Sequence, residues 1–227
     1  MDAQALLQLL QDGGLTVYPL GIGSVITLTI LLERVWRYRG LESQTRDVTR
    51  QTIEFLVRRD VNQARTLCEE SDTAIAKIFL EAMRWRNIAI EDLERVLSTA
   101  RQESVMDLKR GLWVIGTIGS LAPYVGLFGT VVGIIRAFQS MAAEGVGGFE
   151  VVAAGISEAL VATGAGLFVA IVALSFFNYL QVRATALGTV YTRSCERFLQ
   201  ALIFVETAAE PDGSDRAEVN DGNLVPA

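Results

Sequence analysis

One carboxylate, Glu158, lies inside a long apolar stretch of the sequence. No other charged residue occurs between Val151 and Val182. A carboxylate in the middle of a membrane helix costs about 3 kcal/mol unless it faces water, a charged partner or a proton. We therefore predict that Glu158 exchanges a proton or balances the charge of a partner.

Two threonines supply hydroxyl groups at comparable depth. Thr163 follows Glu158 by five residues, and Thr130 lies within a second apolar stretch. Hydroxyl groups both donate and accept hydrogen bonds, so they can hold a chain of water molecules. Five residues turn a helix through about 140°, so Glu158 and Thr163 could share only a wide lumen. The alternative for each threonine is a structural hydrogen bond to a backbone carbonyl.

The composition excludes several other kinds of chemistry. The sequence has no histidine, which removes the commonest general base and the commonest zinc ligand. Its only two cysteines, Cys68 and Cys195, are too few for a disulfide framework, and we expect both to be free thiols. The net charge of -6 disfavours a nucleic-acid partner. We expect no catalytic residue, no metal and no cofactor.

Three uncharged or nearly uncharged stretches must position the candidate residues. They run from Gly13 to Leu32, from Gly111 to Ile135 and from Val151 to Val182. A bilayer core needs roughly 20 apolar residues as a helix, so each stretch is long enough to span it. The sequence predicts an all-α membrane protein with three transmembrane helices and long cytoplasmic helical extensions. A cleavable signal peptide is the alternative for the first stretch, but no Lys or Arg precedes it.

Basic residues flank the spans on one side only, which predicts their orientation. The N-terminus and the connection between spans two and three have none, so we expect both on the outside, which is the periplasm in a Gram-negative cell. The flanking residues are Arg34, Arg37, Arg39, Lys109, Arg110, Arg183, Arg193 and Arg197. The predicted divisions are a periplasmic segment 1–12, span one 13–33, a cytoplasmic helical region 34–110, span two 111–140, a periplasmic loop 141–150, span three 151–182, a cytoplasmic helix 183–206 and a disordered acidic tail 207–227.

Region 34–110 has the pattern of an amphipathic helical bundle, with apolar residues at helical spacing. We expect Asp60 to cap a helix from Val61 to Glu70, and Thr73 to cap one from Ala74 to Arg86. A helix from Glu91 to Lys109 should run straight into span two. The simplest interpretation of this region is a solvated support that spaces subunits. A short interfacial helix is predicted for residues 2–11.

Small residues recur along spans two and three. Because lipid provides no hydrophobic drive between helices, close approach of small residues is how membrane helices associate. Contacts within a single chain would also explain this pattern. The predicted packing positions are Gly126, Gly129, Gly133, Ala159, Ala162 and Gly166.

The same two spans carry a family resemblance. The segment Ile-Gly-Thr-Ile-Gly-Ser-Leu-Ala-Pro-Tyr-Val-Gly-Leu-Phe-Gly-Thr-Val-Val-Gly-Ile, the segment Gly-Ile-Ser-Glu-Ala-Leu-Val-Ala-Thr-Gly-Ala-Gly-Leu and the pair Asn178-Tyr179 resemble the MotA/TolQ/ExbB proton-channel family. The match is closest to the TolQ/ExbB branch, which has three spans, whereas the MotA branch has four. Ala154, Gly164 and Arg136 depart from the branch pattern, and Arg136 adds a cation near the outer mouth.

The resemblance implies a subunit of a proton-driven motor in the bacterial inner membrane. Members form a ring, typically a pentamer, whose spans two and three surround the helices of an ExbD/TolR-like single-span dimer. A TonB/TolA-like protein is a further implied partner, and the work is delivered to the cell envelope. Glu158, Thr130 and Thr163 match the acidic and hydroxyl positions of the family pore.

Two other classes of function remain as alternatives. A non-conducting scaffold that only assembles a partner would use the same small residues, and it would tolerate loss of the Glu158 carboxylate. A secondary transporter is disfavoured, because three spans provide neither an inverted repeat nor a pair of broken helices.

Overall fold

A computed structural model describes residues 17–85, 88–144 and 149–207 of the chain. All regular elements in these ranges are helices, which we number α1 to α7. They are α1 Val17–Tyr38, α2 Leu41–Val57, α3 Val61–Glu70, α4 Ala74–Arg84, α5 Ile90–Lys109, α6 Leu112–Glu144 and α7 Phe149–Thr207. The predictions for residues 1–12, for the middle of loop 141–150 and for the tail after Thr207 lie outside the described residues.

The described residues divide into two compact units. The first contains residues 17–39 and 106–186, and the second contains residues 40–105 and 187–207. Helix α7 contributes to both units as one continuous helix of 59 residues. Three helical stretches are long and apolar enough to cross a membrane, and each overlaps one of the three predicted spans.

In the first unit, α1 packs against α6 through small residues. Leu20, Ala122 and Ala170 form a buried apolar cluster that joins α1, α6 and α7. One turn further along α1, a Cβ atom built on Gly23 would lie 3.2 Å from the Ile118 side chain. The absence of a side chain at Gly23 therefore lets α1 approach α6 closely.

The end of α5 is held by two polar side chains of α1. Arg34 donates to the Asp107 carbonyl at 3.3 Å, and the Tyr38 hydroxyl donates to the Leu108 carbonyl. These carbonyls belong to the last turn of α5, where the regular helical donors four residues later are missing. The Asp107 oxygen also accepts from the Arg110 amide at 3.3 Å. The expectation that α5 runs straight into span two is wrong, because the helix is interrupted at Gly111, whose φ is 81°. Only glycine adopts this left-handed conformation without strain.

The second unit is a helical bundle of α2 to α5 and the end of α7. Its predicted N-caps are confirmed: Asp60 accepts from the Gln63 amide and Thr73 accepts from the Ala76 amide. Helix α4 ends at Arg84, before the expected Arg86. In the core, the rings of Phe79 on α4 and Phe198 on α7 stack with centroids 4.2 Å apart.

Candidate functional site

The predicted packing residues lie between α6 and α7 of one chain. A Cβ atom built on Gly133 would lie 2.7 Å from the Ala159 side chain, and one on Gly166 would lie 2.7 Å from the Ala122 carbonyl oxygen. Distances below 3.0 Å do not occur for real Cβ atoms, so these positions require glycine at the present helix separation. Gly126, Gly129, Ala159, Ala162 and Gly166 are all buried.

The glycine contacts also fix the antiparallel register of the two helices. Gly133 lies opposite Ala159, and Ala137 lies opposite Gly155. Four residues separate the two levels on each helix, which corresponds to about 6 Å along the axis. This register gives the relative height of the α6 and α7 residues that lie next to these two contacts.

Both predicted hydroxyls donate to backbone carbonyls of α6. Thr163 on α7 donates across the helix contact to the Gly126 oxygen at 2.9 Å, and Thr130 donates to the Leu127 oxygen of its own helix at 2.7 Å. Gly126 and Leu127 are adjacent residues, so both hydroxyls meet the same short segment of α6. Each hydroxyl oxygen keeps its lone pairs and can still accept a hydrogen bond from water.

The structure does not join Glu158 to either threonine. Its side chain is exposed on the surface of α7, and it makes no hydrogen bond or ion pair with any described residue. Thr163 lies about 140° away around the same helix, as the sequence predicts. In the single chain this carboxylate therefore lies on an apolar helix surface without a hydrogen-bonded or ion-paired partner among the described residues.

Arg34 of the first unit is a buried cation, and the sequence did not predict a structural role for it. The sequence assigned Arg34 only a role in orientation, yet its side chain is 6% exposed. Its Nε atom has no hydrogen-bond partner among the described residues. The spacing of Arg34 and Tyr38, one helical turn apart after an apolar run, is the signal that could have indicated a shared contact.

Neither cysteine contributes to a site. Cys68 and Cys195 are free and buried. Burial raises the pKa of the Cys68 thiol, although its contact with the Thr52 hydroxyl acts in the opposite direction. A thiol with a raised pKa is a weak nucleophile at neutral pH. In the described part of the chain, no three His, Cys, Asp or Glu side chains are grouped so that they could hold a metal ion.

Comparison with known proteins identifies the family. The model of the MotA/TolQ/ExbB proton channel family matches residues 70–192, more than half of the 227 residues. The chain belongs to the MotA/TolQ/ExbB family. It is a multi-pass inner-membrane protein of a channel family and not an enzyme.

Similar proteins place the chain in the TolQ/ExbB branch of the family. It is 34% identical over 172 residues to biopolymer transport protein ExbB-like 1 of Synechocystis, covering 74% of this chain and 67% of that protein. It is 30% identical over 211 residues to ExbB of Pseudomonas putida, covering 87% and 61% of the two chains. It is 35% identical over 113 residues to the Tol-Pal system protein TolQ of Haemophilus influenzae, covering half of each.

The matched range of the MotA/TolQ/ExbB family contains the candidate residues. Glu158, Thr130 and Thr163 all fall within residues 70–192. The match also covers α4 and α5 and most of α7. The family assignment therefore rests on α4 and α5 as well as on α6 and α7.

Proposed function

We propose that this protein is a proton-channel and stator subunit that works with an ExbD/TolR-like partner. It would convert the proton motive force into mechanical work on the cell envelope, in TonB-type transport, Tol-type envelope maintenance or gliding. Membership of the TolQ/ExbB branch supports this proposal. The observation that carries it is the exposed, unpaired carboxylate of Glu158 on an apolar helix.

The cost of an unpaired carboxylate explains why Glu158 indicates function. In a membrane this group needs water, a proton or a countercharge. The described part of the chain supplies no partner to Glu158. In the membrane the carboxylate is therefore compensated by water in a lumen, by a proton or by a countercharge. A proton-conducting assembly provides all three.

Exposed apolar residues on α6 and α7 support assembly into a ring. Tyr124, Phe128 and Phe168 are each more than 60% exposed in the single chain. We propose that these helices pack against further copies, as a pentamer, around a partner dimer in a central pore. The membrane potential provides roughly 2.3 kcal/mol per charge per 100 mV, which is the scale available to move the partner helices.

The proposed topology has the N-terminus in the periplasm. The basic residues that follow span one and precede span two support this orientation. A reporter fused after Gly40 or Arg197 should then report the cytoplasm, and one near Gly147 should report the periplasm. A periplasmic signal at Arg197 would contradict the three-span topology.

Replacing one carboxylate tests the proposed function. Glu158→Gln keeps the shape of the side chain but cannot exchange a proton, so proton flux should be lost while the complex still assembles. The complex of this chain and its copurified partner is reconstituted in liposomes, and internal pH is followed under an imposed potential. Glu150→Gln, which removes a carboxylate of the same helix, is the matched control. Wild-type flux in Glu158→Gln would refute the proposal.

The second candidate is a scaffold that assembles a partner without conducting. The hydrogen bond from Thr163 to Gly126 favours it, because this hydroxyl has a structural partner. A scaffold predicts that Glu158→Gln retains work on the envelope in cells. A motor subunit predicts that this work is lost with the complex intact, so the same variant separates the two candidates.

A further inference from the structure

Two opposite charges lie on the apolar helices of the first unit. Glu158 belongs to α7 and Arg136 belongs to α6, and the side chains of both are exposed. Neither has a hydrogen bond or an ion pair with any described residue.

Both charges lie on the side of α6 and α7 that elsewhere faces the buried cluster of Leu20, Ala122 and Ala170. On α6 this face carries Ile118 and Val125, and Arg136 follows them by 18 and 11 residues, which are close to whole numbers of turns. On α7 the face carries Ala165 and Val169, and Glu158 precedes them by 7 and 11 residues. The two side chains therefore leave the helix pair on the same side.

The two charges also lie at nearly the same height. Arg136 directly precedes Ala137, which lies opposite Gly155, and Glu158 directly precedes Ala159, which lies opposite Gly133. In this register the two Cα levels differ by two residues, or about 3 Å. Glycine-to-alanine contacts keep the helix axes close, at about 8 Å.

The direction of the side chains brings the charges closer still. In any helix the Cα–Cβ bonds tilt toward the N-terminus. Because α6 and α7 are antiparallel, Arg136 and Glu158 tilt in opposite directions along the common axis. Arg136 lies nearer the C-terminal end of α6 than the level of Glu158, so each side chain tilts toward the other.

We propose that Arg136 is the countercharge of ionised Glu158 in the same chain, a pair that forms when Glu158 loses its proton and opens when it gains one. The pair rests on the proposed function, in which Glu158 exchanges protons. Attraction between opposite charges is several times stronger beside a protein surface than in bulk water, so proximity at this depth has a large effect. Glu150, two turns earlier on α7, is the nearest other carboxylate on that helix.

Carbodiimide chemistry in native membranes tests the proximity of the two residues. Dicyclohexylcarbodiimide adds to a protonated carboxyl to form an O-acylisourea. In Arg136→Lys the new amine can attack this activated Glu158 and displace dicyclohexylurea, which leaves an amide and lowers the mass of the protein by one water. Mass spectrometry should detect this bond within one chain. The control Arg136→Met/Phe138→Lys moves the amine about 200° around α6 at a similar height and should give no such bond. No amide in Arg136→Lys, equal coupling in the control or coupling only between chains would overturn the proposal.

The labelling rate of Glu158 tests the charge itself. Without the countercharge a larger fraction of the Glu158 side chains is protonated. Arg136→Met should therefore raise the rate of carbodiimide labelling at Glu158 by roughly tenfold, which corresponds to about 1.4 kcal/mol. In Arg136→Lys, where the positive charge is retained, consumption of unmodified Glu158 should stay near the wild-type rate, and Glu150→Gln should not alter it. Unchanged labelling in Arg136→Met would overturn the pair. This outcome is separate from failure of the proposed function, which is wild-type proton flux in Glu158→Gln.

Discussion

The hydroxyl of Thr163 on α7 donates to the backbone carbonyl of Gly126 on α6 across a distance of 2.9 Å. This bond forms at a close contact of the two helices, since a Cβ atom built on Gly126 would lie 3.0 Å from the Cα atom of Thr163. The close approach and the hydrogen bond depend on each other. A threonine predicted to line a proton path therefore also holds α6 and α7 together.

We expect Thr163→Val to weaken the contact between α6 and α7. Hydrogen bonds between membrane helices contribute about 0.6 kcal/mol on average, so the loss should be of that order. Thr163→Ser, which retains the hydroxyl, should restore most of it, and Thr130→Val should cost less because its bond lies within one helix. The thermal midpoint of the purified complex measures these differences. Equal midpoints for Thr163→Val and the wild type would contradict the structural role.

The proton path should respond differently to the same variants. Thr163→Val and Thr130→Val each leave one hydroxyl to hold water, so the reduction of flux should be mild in either and severe in the double variant. Liposome flux under an imposed potential is the measurement. Additive mild losses would indicate that the two hydroxyls do not share one water chain.

Gly166→Ala should destabilise the protein, whereas Gly164→Ala should not. The added methyl group at residue 166 would lie 2.7 Å from the Ala122 oxygen and 3.0 Å from the Gly126 Cα atom, and backbone atoms cannot move aside cheaply. Overpacking of this kind costs about 1–3 kcal/mol. At Gly164 no atom lies within 4 Å of the added carbon. Thermal unfolding in detergent compares the two variants, and similar midpoints would contradict the predicted contact.

The sequence predicted the three spans because their length and apolarity do not depend on tertiary structure. It also predicted the caps at Asp60 and Thr73, since capping is decided by residues three positions apart. The break between α5 and α6 was missed. Gly111 follows charged residues and begins an apolar run, so nothing local distinguishes a left-handed glycine there from one that continues a helix.

The pattern of apolar residues also did not predict which polar residues of α2 are buried. Helical spacing of apolar residues assigns Ile53, Leu56 and Val57 to one face of α2, yet Val57 is 53% exposed. Thr45, Thr49 and Thr52 are buried instead. The Thr45 and Thr49 hydroxyls donate to carbonyls four residues earlier, which satisfies them inside the bundle. Apolar periodicity counts threonine as polar and so misplaces this face.

The sequence indicated which residue types belong to the candidate site, but it did not predict how these residues lie relative to one another. Glu158 stands out because it is charged within an apolar run. Its relation to Arg136 depends on the register of α6 against α7, which Gly133 and Gly155 set through contacts 26 and 18 residues away in sequence. Spacing along one helix contains no information about that register.

Tyr38→Phe should loosen the junction between α5 and α6. It removes the hydrogen bond from the Tyr38 hydroxyl to the Leu108 carbonyl. Leu108 lies in the last turn of α5, where carbonyl oxygens lack the amide donors that follow in the middle of a helix. The expected loss is about 1 kcal/mol. Hydrogen exchange of the peptide around Gly111 should accelerate, while exchange in the α4 core around Phe79 should not change. Uniform acceleration in both peptides would indicate global unfolding and contradict a local role.

Alkaline pH should destabilise the second unit partly through Cys68. Burial raises the pKa of this thiol above its ordinary value of 9.0, so the folded state keeps the proton after the unfolded state has lost it. The contribution of this thiol to the free energy of unfolding is fully present below pH 9.0. It falls as the pH rises from there through the pKa of the folded state. Cys68→Ser removes the titrating thiol and should flatten the decline of the unfolding midpoint between pH of about 8 and about 11, whatever its effect on the absolute midpoint. Parallel curves for the wild type and Cys68→Ser would show that the thiol titrates alike in both states and would contradict its burial.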